Sequence, residues 1–328
     1  MSIPHALQGK LSAPVICAPL FIVSNPELVI AQCKAGLIGS FPALNARPAE
    51  ALDEWLTRIE VALDAARAAD LSARIAPYAV NQIVHASNSR LRHDIDVCVR
   101  HKVPLMITSL QAPHEVVQAA HSYGGLVFHD VINARHARKA VEAGVDGLIL
   151  VAAGAGGHAG MLNPFALVAE IRSFYNGPIA LSGSITQGQQ ILSAQAMGAD
   201  FAYIGTRFIA TEEAHAEVAY KQMIVDSSAS DIVYSNLFSG VHGNYLRGSI
   251  TRAGMDPENL PEGGKATMRF DEFSEGKPAA KAWRDIWGAG QGVGSIHDIR
   301  PALEVGRRLV DEYRAALKAM PSLALALD

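Results

Sequence analysis

The sequence has no strong surplus of either charge. Its 28 Lys and Arg against 32 Asp and Glu leave a net charge of −4 over 328 residues. It also has no Lys/Arg-rich run and no interleaving of aromatic with basic residues, so the electrostatic footprint of a nucleic-acid binder is missing. Cysteine is scarce. Cys17, Cys33 and Cys98 are odd in number and form no C-x-x-C pair, which excludes a disulfide or zinc framework and fits a reducing, cytoplasmic setting. Twelve histidines are scattered without H-E-x-x-H or comparable spacing, so no metal is expected. No apolar run is long enough to span a bilayer, and no charged segment followed by an apolar stretch opens the chain; neither a membrane nor a secretory route is expected.

What is present is core-forming material: 49% hydrophobic against 18% charged residues, the balance of a chain that buries a sizeable core. Short apolar runs alternate with longer amphipathic stretches over the first two thirds. Candidate strands are Pro14–Ala18, Gly36–Ser40, Arg74–Asn81, Val103–Ser109, Gly125–His129, Gly147–Val151, Pro178–Ser182 and Ala202–Gly205. Several are continuously apolar, as strands buried on both faces are. The clearest helix has Leu52, Trp55, Leu56, Ile59 and Leu63 at helical spacing after Pro48. Two joints echo each other, "EAGVDGLILV" (Glu142–Val151) and "AMGADFAYIG" (Ala196–Gly205): a helix end, a glycine suited to the C-cap, an Asp, then a strand. About eight such βα units predict a closed (β/α)₈ barrel rather than an open sheet.

After Arg207 the pattern changes. Helical signals at His215–Val225 and Asp231–Leu237 give way to Gly- and Pro-rich sequence, then to "KAWRDIWGAGQGVGSI" (Lys281–Ile296) and a last amphipathic helix, Pro301–Leu317. The expected division is a barrel over 1–211 and 295–328, with a small, mainly helical domain over 212–294 that covers the substrate. Trp283 and Trp287, at i and i+4, are expected to pack that domain.

A glycine run, "AAGAGGHAG" (Ala152–Gly160), follows the sixth strand and satisfies G-x-G-x-x-A. A dinucleotide turn should open a helix at once and be followed, about twenty residues on, by a carboxylate for the ribose. Here Asn163-Pro164 intervenes, and the next strand ends in "SGS" with no acid. The NAD-fingerprint reading therefore fails. In a barrel the active site lies at the C-terminal ends of the strands, and the loops after strands seven and eight commonly hold phosphate. Those loops are "SGSIT" (Ser182–Thr186) and "GTRF" (Gly205–Phe208). Each has a glycine that lets backbone N–H groups approach an anion, and each precedes a helix N-terminus. Together they predict a cup for one phosphate monoester.

With these motifs in order, "PVICAPL" (Pro14–Leu20), Val80-Asn81-Gln82, "AGAGGHAG", "ALSGSIT", "YIGTRFIAT" and "WGAGQG", the chain resembles the nitronate monooxygenase family, formerly called 2-nitropropane dioxygenases, over nearly its whole length. That family also contains FMN-dependent NADH:quinone reductases and a flavin enoyl-acyl carrier protein reductase. The resemblance implies a TIM barrel with a small helical domain and non-covalent FMN. It places Ala18, Pro19 and Leu20 against the flavin ring, and Asn81 near the ring and ribityl chain. Gly157, Ser182, Gly183, Ser184, Gly205 and Thr206 lie around the cofactor and its phosphate; Gln291 reaches the flavin from the second domain; His158 faces the substrate. Asp130 departs from the family pattern, since several relatives carry lysine or another non-acidic residue there. It either meets the ribityl hydroxyls or ring edge or caps the following turn.

Histidine suits removal of a proton from carbon beside a nitro group, because it titrates near neutrality, at ~6.5 when unperturbed. Activity on a neutral nitroalkane should then rise with pH around that value. Arg207 and Lys221 read as structural or as neighbours of the phosphate, and His129 as a packed strand residue. The implied reaction is oxidation of an alkyl nitronate by O₂ to a carbonyl compound and nitrite. The runner-up is an NAD(P)H-dependent flavin reductase of quinones or enoyl thioesters, and a third reading is a non-catalytic flavin-binding sensor. The expected partners are a small nitronate or nitroalkane and O₂, in a monomer or homodimer.

Overall fold

A computed structural model describes residues 3–264 and 285–324. Trp283 and residues 265–284 of the expected second domain lie outside the described residues. Eight parallel strands form one sheet: β1 (Val15–Cys17), β2 (Gly39–Pro42), β3 (Tyr78–Val84), β4 (Leu105–Leu110), β5 (Leu126–Val131), β6 (Gly147–Val151), β8 (Ile179–Ser182) and β9 (Phe201–Ile204). Each overlaps one of the eight expected runs. A parallel bridge between Ile16 and Ile38 joins β1 to β2, with Cys17 N–H donating to Ile38 O at 2.8 Å and Ile38 N–H to Val15 O at 3.0 Å, so the sheet closes on itself. The helices α1 (Pro26–Lys34), α2 (Ala51–Ala69), α3 (Leu91–Arg100), α4 (His114–His121), α5 (Ala134–Glu142), α6 (Pro164–Arg172), α7 (Gly188–Ala196) and the one-turn α8 (Thr206–Ile209) alternate with the strands.

Period-two geometry sorts the barrel strands. Ala79, Ile107, Phe128, Ile149, Ala180, Phe201 and Tyr203 form an inner apolar plug, closed at the N-terminal end by Leu7. Val80, Met106, Val127, Leu148 and Leu181 point outward into the larger core shared with the helices. The next inward positions toward the C-terminal mouth are Asn81, Ser109, Asp130, Val151 and Ser182. The mouth is therefore polar where the plug is apolar. A cleft of about 710 Å³ lined by Lys10, Arg74 and Lys102 lies at the opposite end, beside the strand starts.

Among the described residues the second unit combines helices with a small sheet. α9 (Val218–Asp226) forms, but the helical signal at Asp231–Leu237 becomes strand β10 (Ile232–Ser235). Ile232, Val233 and Tyr234 suit a pleated surface better than a helix, and they pair antiparallel with β11 (Gly243–Leu246). β11 also pairs with β7 (Gly157–His158), inside the glycine run, giving the order β10-β11-β7. One edge of this sheet thus belongs to the loop after β6. Tyr245, Ile250 and Ile286 make a small core of their own, with α10 (Arg247–Arg252) supplying Ile250. Trp287 stacks on Tyr220 at 4.9 Å between centroids, with Arg252 over its ring. The chain returns through α11 (Ala302–Ala324), which packs on α1 and α7.

Candidate active site

The loop after β1 carries Ala18, Pro19 and Leu20, all half-buried at the mouth. Asn45 clamps it: its Nδ2 donates to Leu20 O (2.9 Å) and Ser24 O (2.8 Å), while Ile22 N–H donates to its Oδ1 (2.9 Å). A Cβ built on Gly205 would stand 3.4 Å from both Ala18 Cβ and Leu20 Cδ2, so the β1 and β9 loops lie side by side.

Across the mouth, three neighbouring strand ends carry a hydrogen-bonded row. Asn81 Nδ2 donates to Ser109 Oγ at 3.0 Å and, more weakly, to Ile107 O at 3.4 Å; Ser109 Oγ donates to Asp130 Oδ2 at 2.6 Å. Asp130 Oδ1 is enclosed and has no hydrogen-bond partner among the described residues. Burial pushes this carboxyl up to about 7, against a smaller downward pull from the Ser109 hydroxyl. Ser109 was missed from the sequence, although its inward parity beside Asn81 and Asp130 signals it. His129 points the other way, its Nδ1 2.8 Å from Thr108 Oγ1, and burial pushes it down to about 4.

The remaining predicted residues meet at a junction of four loops. Gly154 O accepts from Gln291 N–H (2.9 Å) and Ser184 N–H (3.3 Å), and Thr206 Oγ1 accepts from Gly290 N–H (2.9 Å). A Cβ on Gly156 would stand 2.8 Å from Gly290 N, and one on Gly290 2.5 Å from Gly154 O. These glycines are backbone-to-backbone crossing points, not room for a ligand. Gly157 is the exception: a Cβ there meets nothing within 4 Å. Gly183 (φ +132°) and Ser184 (φ +57°) are both in the left-handed region, and Ser182 is buried below them.

The expected helix end beside "SGSIT" is already used. Gly188 N–H, at the start of α7, donates to Glu312 Oε2 of α11 at 2.7 Å. An anion is welcome there, and the chain supplies its own. The "GTRF" helix is a single turn. What remains of the expected phosphate site is the pair of loops at Gly183–Ser184 and Gly205–Thr206. Arg207 is buried and paired with Asp298 at 2.7 Å, donating also to Ala210 O and Asp298 O, and Lys221 donates to Glu212 O, so both cations have partners within the chain.

His158, on β7, is half-buried, its Nε2 2.8 Å from Ser239 Oγ. Ser239 Oγ also lies 2.9 Å from Val241 O, so one hydroxyl ties the ring to the chain that follows it. Burial pushes His158 down to about 4, well below the ordinary value expected from the sequence. The residue after the ring is pinned twice: Ala159 N–H donates to His242 O, and Tyr234 Oη–H to Ala159 O. Ser239 was also missed; at 81 residues' separation no local pattern marks it.

Among the described residues no group of three or more His, Cys, Asp or Glu could hold a metal ion, and no helix is long and apolar enough to cross a membrane.

A nitronate monooxygenase family model matches residues 6–311. A candidate monooxygenase of Mycobacterium tuberculosis is 30% identical over 243 residues, covering 70% of this chain; the match spans 64% of that relative's length. A nitronate monooxygenase of Paraburkholderia phytofirmans is 26% identical, with 96% of each chain covered. Among solved structures, nitroalkane oxidase from Streptomyces ansochromogenes shares the fold at a TM-score of 0.80 and 21% identity, covering 96% of this chain and 100% of its own.

Proposed function

The chain belongs to the nitronate monooxygenase family and is a flavin-dependent oxidoreductase; from that premise we propose that it uses FMN to oxidise alkyl nitronates with O₂, giving a carbonyl compound and nitrite. The observation that carries this reading is a neutral imidazole, His158, held by Ser239 in the loop after β6, at the same barrel end as a glycine cup and a polar strand-end row. The donor set suits FMN. Two glycine-bearing loops at Gly183–Ser184 and Gly205–Thr206 offer backbone N–H groups to one terminal phosphate, while an adenosine fingerprint is absent from the sequence. The enclosed, unpartnered Oδ1 of Asp130 is a polar atom awaiting a partner.

When bound, FMN supplies the electron acceptor and the place where oxygen reacts. The chain's residues do the rest. Ala18, Pro19 and Leu20 would lie against the flavin ring, and Asn81 and Asp130 would meet its polar edge. Ser182, Gly183, Ser184, Gly205 and Thr206 hold its phosphate end. Gly157 leaves the open side of β7 clear, and Gln291 closes the rim from the second unit. His158 lies over the substrate.

Its low basicity bears on the substrate. An imidazole that binds a proton only near pH 4 is a weak base for carbon acids, so a preformed nitronate is a better substrate than the neutral nitroalkane. With nitronate, the ring orients the nitro oxygens and needs to remove no proton.

Anaerobic mixing with propyl-2-nitronate, NADH and NADPH in turn, following flavin bleaching, tests the reading. Reduction by nitronate alone is expected. Reduction by pyridine nucleotide alone would select the quinone or enoyl-thioester reductase instead, and reduction by neither would leave a flavin-binding protein without this chemistry.

A further inference from the structure

We propose that the cleft at the N-terminal end of the barrel is a binding site for a short polyphosphate chain, free or as the tail of a nucleotide, with Lys102 as its principal cation. The cleft lies behind the apolar plug, at the end opposite the mouth, so the inference goes beyond the proposed reaction and does not depend on it.

The N-terminal segment, the chain after α2 and the joints that lead into β4 and β5 enclose about 710 Å³. That volume falls within the range of roughly 300–1,000 Å³ found for small-molecule sites. Lys10, Arg67, Arg74 and Lys102 line the cleft and no carboxylate does, in a chain whose net charge is −4. The acids close by in sequence are engaged elsewhere. Asp64 pairs with Arg67 at 2.8 Å, and Asp70 Oδ1 accepts from Ser72 N–H at 2.9 Å and from its hydroxyl at 2.6 Å. Arg74 Nη1 donates to Leu11 O at 3.1 Å, which fixes the guanidinium at the wall and leaves its other N–H groups for a ligand. The side chains of Lys10 and Lys102 have no hydrogen bond or ion pair among the described residues.

The backbone at Lys102 separates this cleft from an ordinary basic surface. Four helix-to-strand joints of the barrel turn through a left-handed glycine: Gly36 (φ +80°), Gly124 (φ +83°), Gly144 (φ +85°) and Gly198 (φ +107°). In each, the next residue donates to a helix carbonyl five residues back, as Gly125 N–H does to Ala120 O at 2.9 Å. The joint between α3 and β4 makes the same turn and the same bond, Val103 N–H to Cys98 O at 3.0 Å, but its left-handed residue is Lys102 (φ +48°). A residue with a Cβ is strained in that conformation and glycine is not. A cation at a helix C-terminus gains from the dipole, yet Arg100 already occupies the last turn of α3. The strain at Lys102 instead keeps an unpaired ammonium in the wall of the cleft.

Three cations without a carboxylate partner, Lys10, Arg74 and Lys102, call for more negative charge than one phosphate carries. The two ammonium groups act as point charges on phosphate oxygens, and the guanidinium adds its planar fork. At Gly124 a Cβ would meet nothing within 4 Å, so that part of the lining is open to a ligand. Leu71, 93% exposed in the same lining, offers an apolar surface to the base of a nucleotide.

The test is calorimetric titration of the flavin-loaded protein with orthophosphate, tripolyphosphate and ATP. Tripolyphosphate is expected to bind once per chain, at least about tenfold more tightly than orthophosphate, and more weakly as salt screens the cleft. Lys102→Gly should lower its affinity by roughly 10–100-fold, as for a lost hydrogen bond to a charged group, while flavin content is kept and the melting temperature holds or rises because glycine relieves the turn. Lys102→Gln keeps the Cβ and removes the charge, and should lose the same affinity. Lys139→Gln removes a cation of α5 outside the cleft and should change nothing. ATP binding more tightly than tripolyphosphate, with the gain lost in Leu71→Ser, identifies a nucleotide as the source; equal affinities identify the free chain.

No tripolyphosphate binding, orthophosphate binding as tightly, or an equal loss in Lys139→Gln would each overturn the proposal. So would a lowered melting temperature in Lys102→Gly with full affinity, which would assign the lysine to the end of α3. None of these measurements involves turnover, so a protein that fails to oxidise nitronates would lose the proposed reaction and keep this inference.

Discussion

The buried imidazole of His158 moves the expected pH dependence away from the neutral range that its residue type suggests. Burial moves it from 6.5 to about 4, which makes the imidazolium about 3.4 kcal/mol harder to form than in water, at 1.36 kcal/mol per pH unit. At pH 6.5 the charged ring is then populated at about one part in 300. kcat/KM for neutral 2-nitropropane, which reports the free enzyme, should therefore show no rising limb near pH 6.5. His158→Asn should retain flavin and lower turnover per bound flavin by roughly 10–10³-fold, on the low side for a residue that mainly orients an anion. The same displacement has a stability signature. The folded ring binds its proton more weakly than the unfolded one, so stability falls as pH drops from about 6.5 and the penalty, about 3 kcal/mol, is complete below about 4. His158→Asn should be less acid-sensitive over that window. A pH–rate profile that rises through 6.5 in wild type and loses that limb in His158→Asn would refute the reasoning, because it would require an imidazole with ordinary basicity.

Four further outcomes follow from the same geometry. Flavin released by denaturation should chromatograph as FMN; FAD would contradict the single-phosphate cup. Gly183→Ala should lose flavin, because its Cβ would stand 2.7 Å from Ala153 O at a φ of +132°, whereas Gly205→Ala, with contacts of 3.4 Å, should fold and retain most of it; equal occupancy in both would place the phosphate elsewhere. Gly156→Ala should lower stability by about 1–3 kcal/mol, since the new methyl meets Gly290 N at 2.8 Å, and an unchanged melting temperature would show that the loops can separate without cost. Arg207→Met should cost about 1–3 kcal/mol through lost bonds to Asp298 and two carbonyls, with Arg308 still pairing Asp298 at 2.9 Å, while activity per folded molecule stays near wild type.

The barrel was legible because its signals are local. Runs such as Gly147–Val151 and Pro178–Ser182 are apolar for the reason that parallel strands are buried on both faces, and the repeated helix-glycine-Asp-strand joint gave the unit count. Strand β10 was not legible. Asp231–Leu237 contains a helix-compatible spacing, and only pairing with β11, itself paired to the loop of His158, decides for a strand. The same limit applies to the anion cup. Gly188 at the start of α7 looks open in sequence, and the carboxylate that fills it is Glu312, 124 residues away.

The glycines of "AAGAGGHAG" and "WGAGQG" have a cause that the sequence does not show. Residues of both runs, Gly157, His158 and Gln291, are expected from the family resemblance to lie near the flavin or its substrate. In the fold, Gly154, Gly156 and Gly290 are small because two chain segments cross there with their backbones in contact, and the hydrogen bonds from Gln291 and Gly290 lock the crossing. The crossing has a mechanical consequence. β7 is simultaneously the loop of a barrel strand and the edge of the second unit's sheet, so His158 cannot be positioned until β11 and the 288–292 segment are in place. Local propensity cannot encode that dependence; it arises from the joint packing of residues more than 80 apart, and it leaves the imidazole, the Ser239 hydroxyl bonded to it and the glycine crossing as one cooperative element. Loosening any one of them should therefore disturb the ring's protonation before it disturbs the barrel.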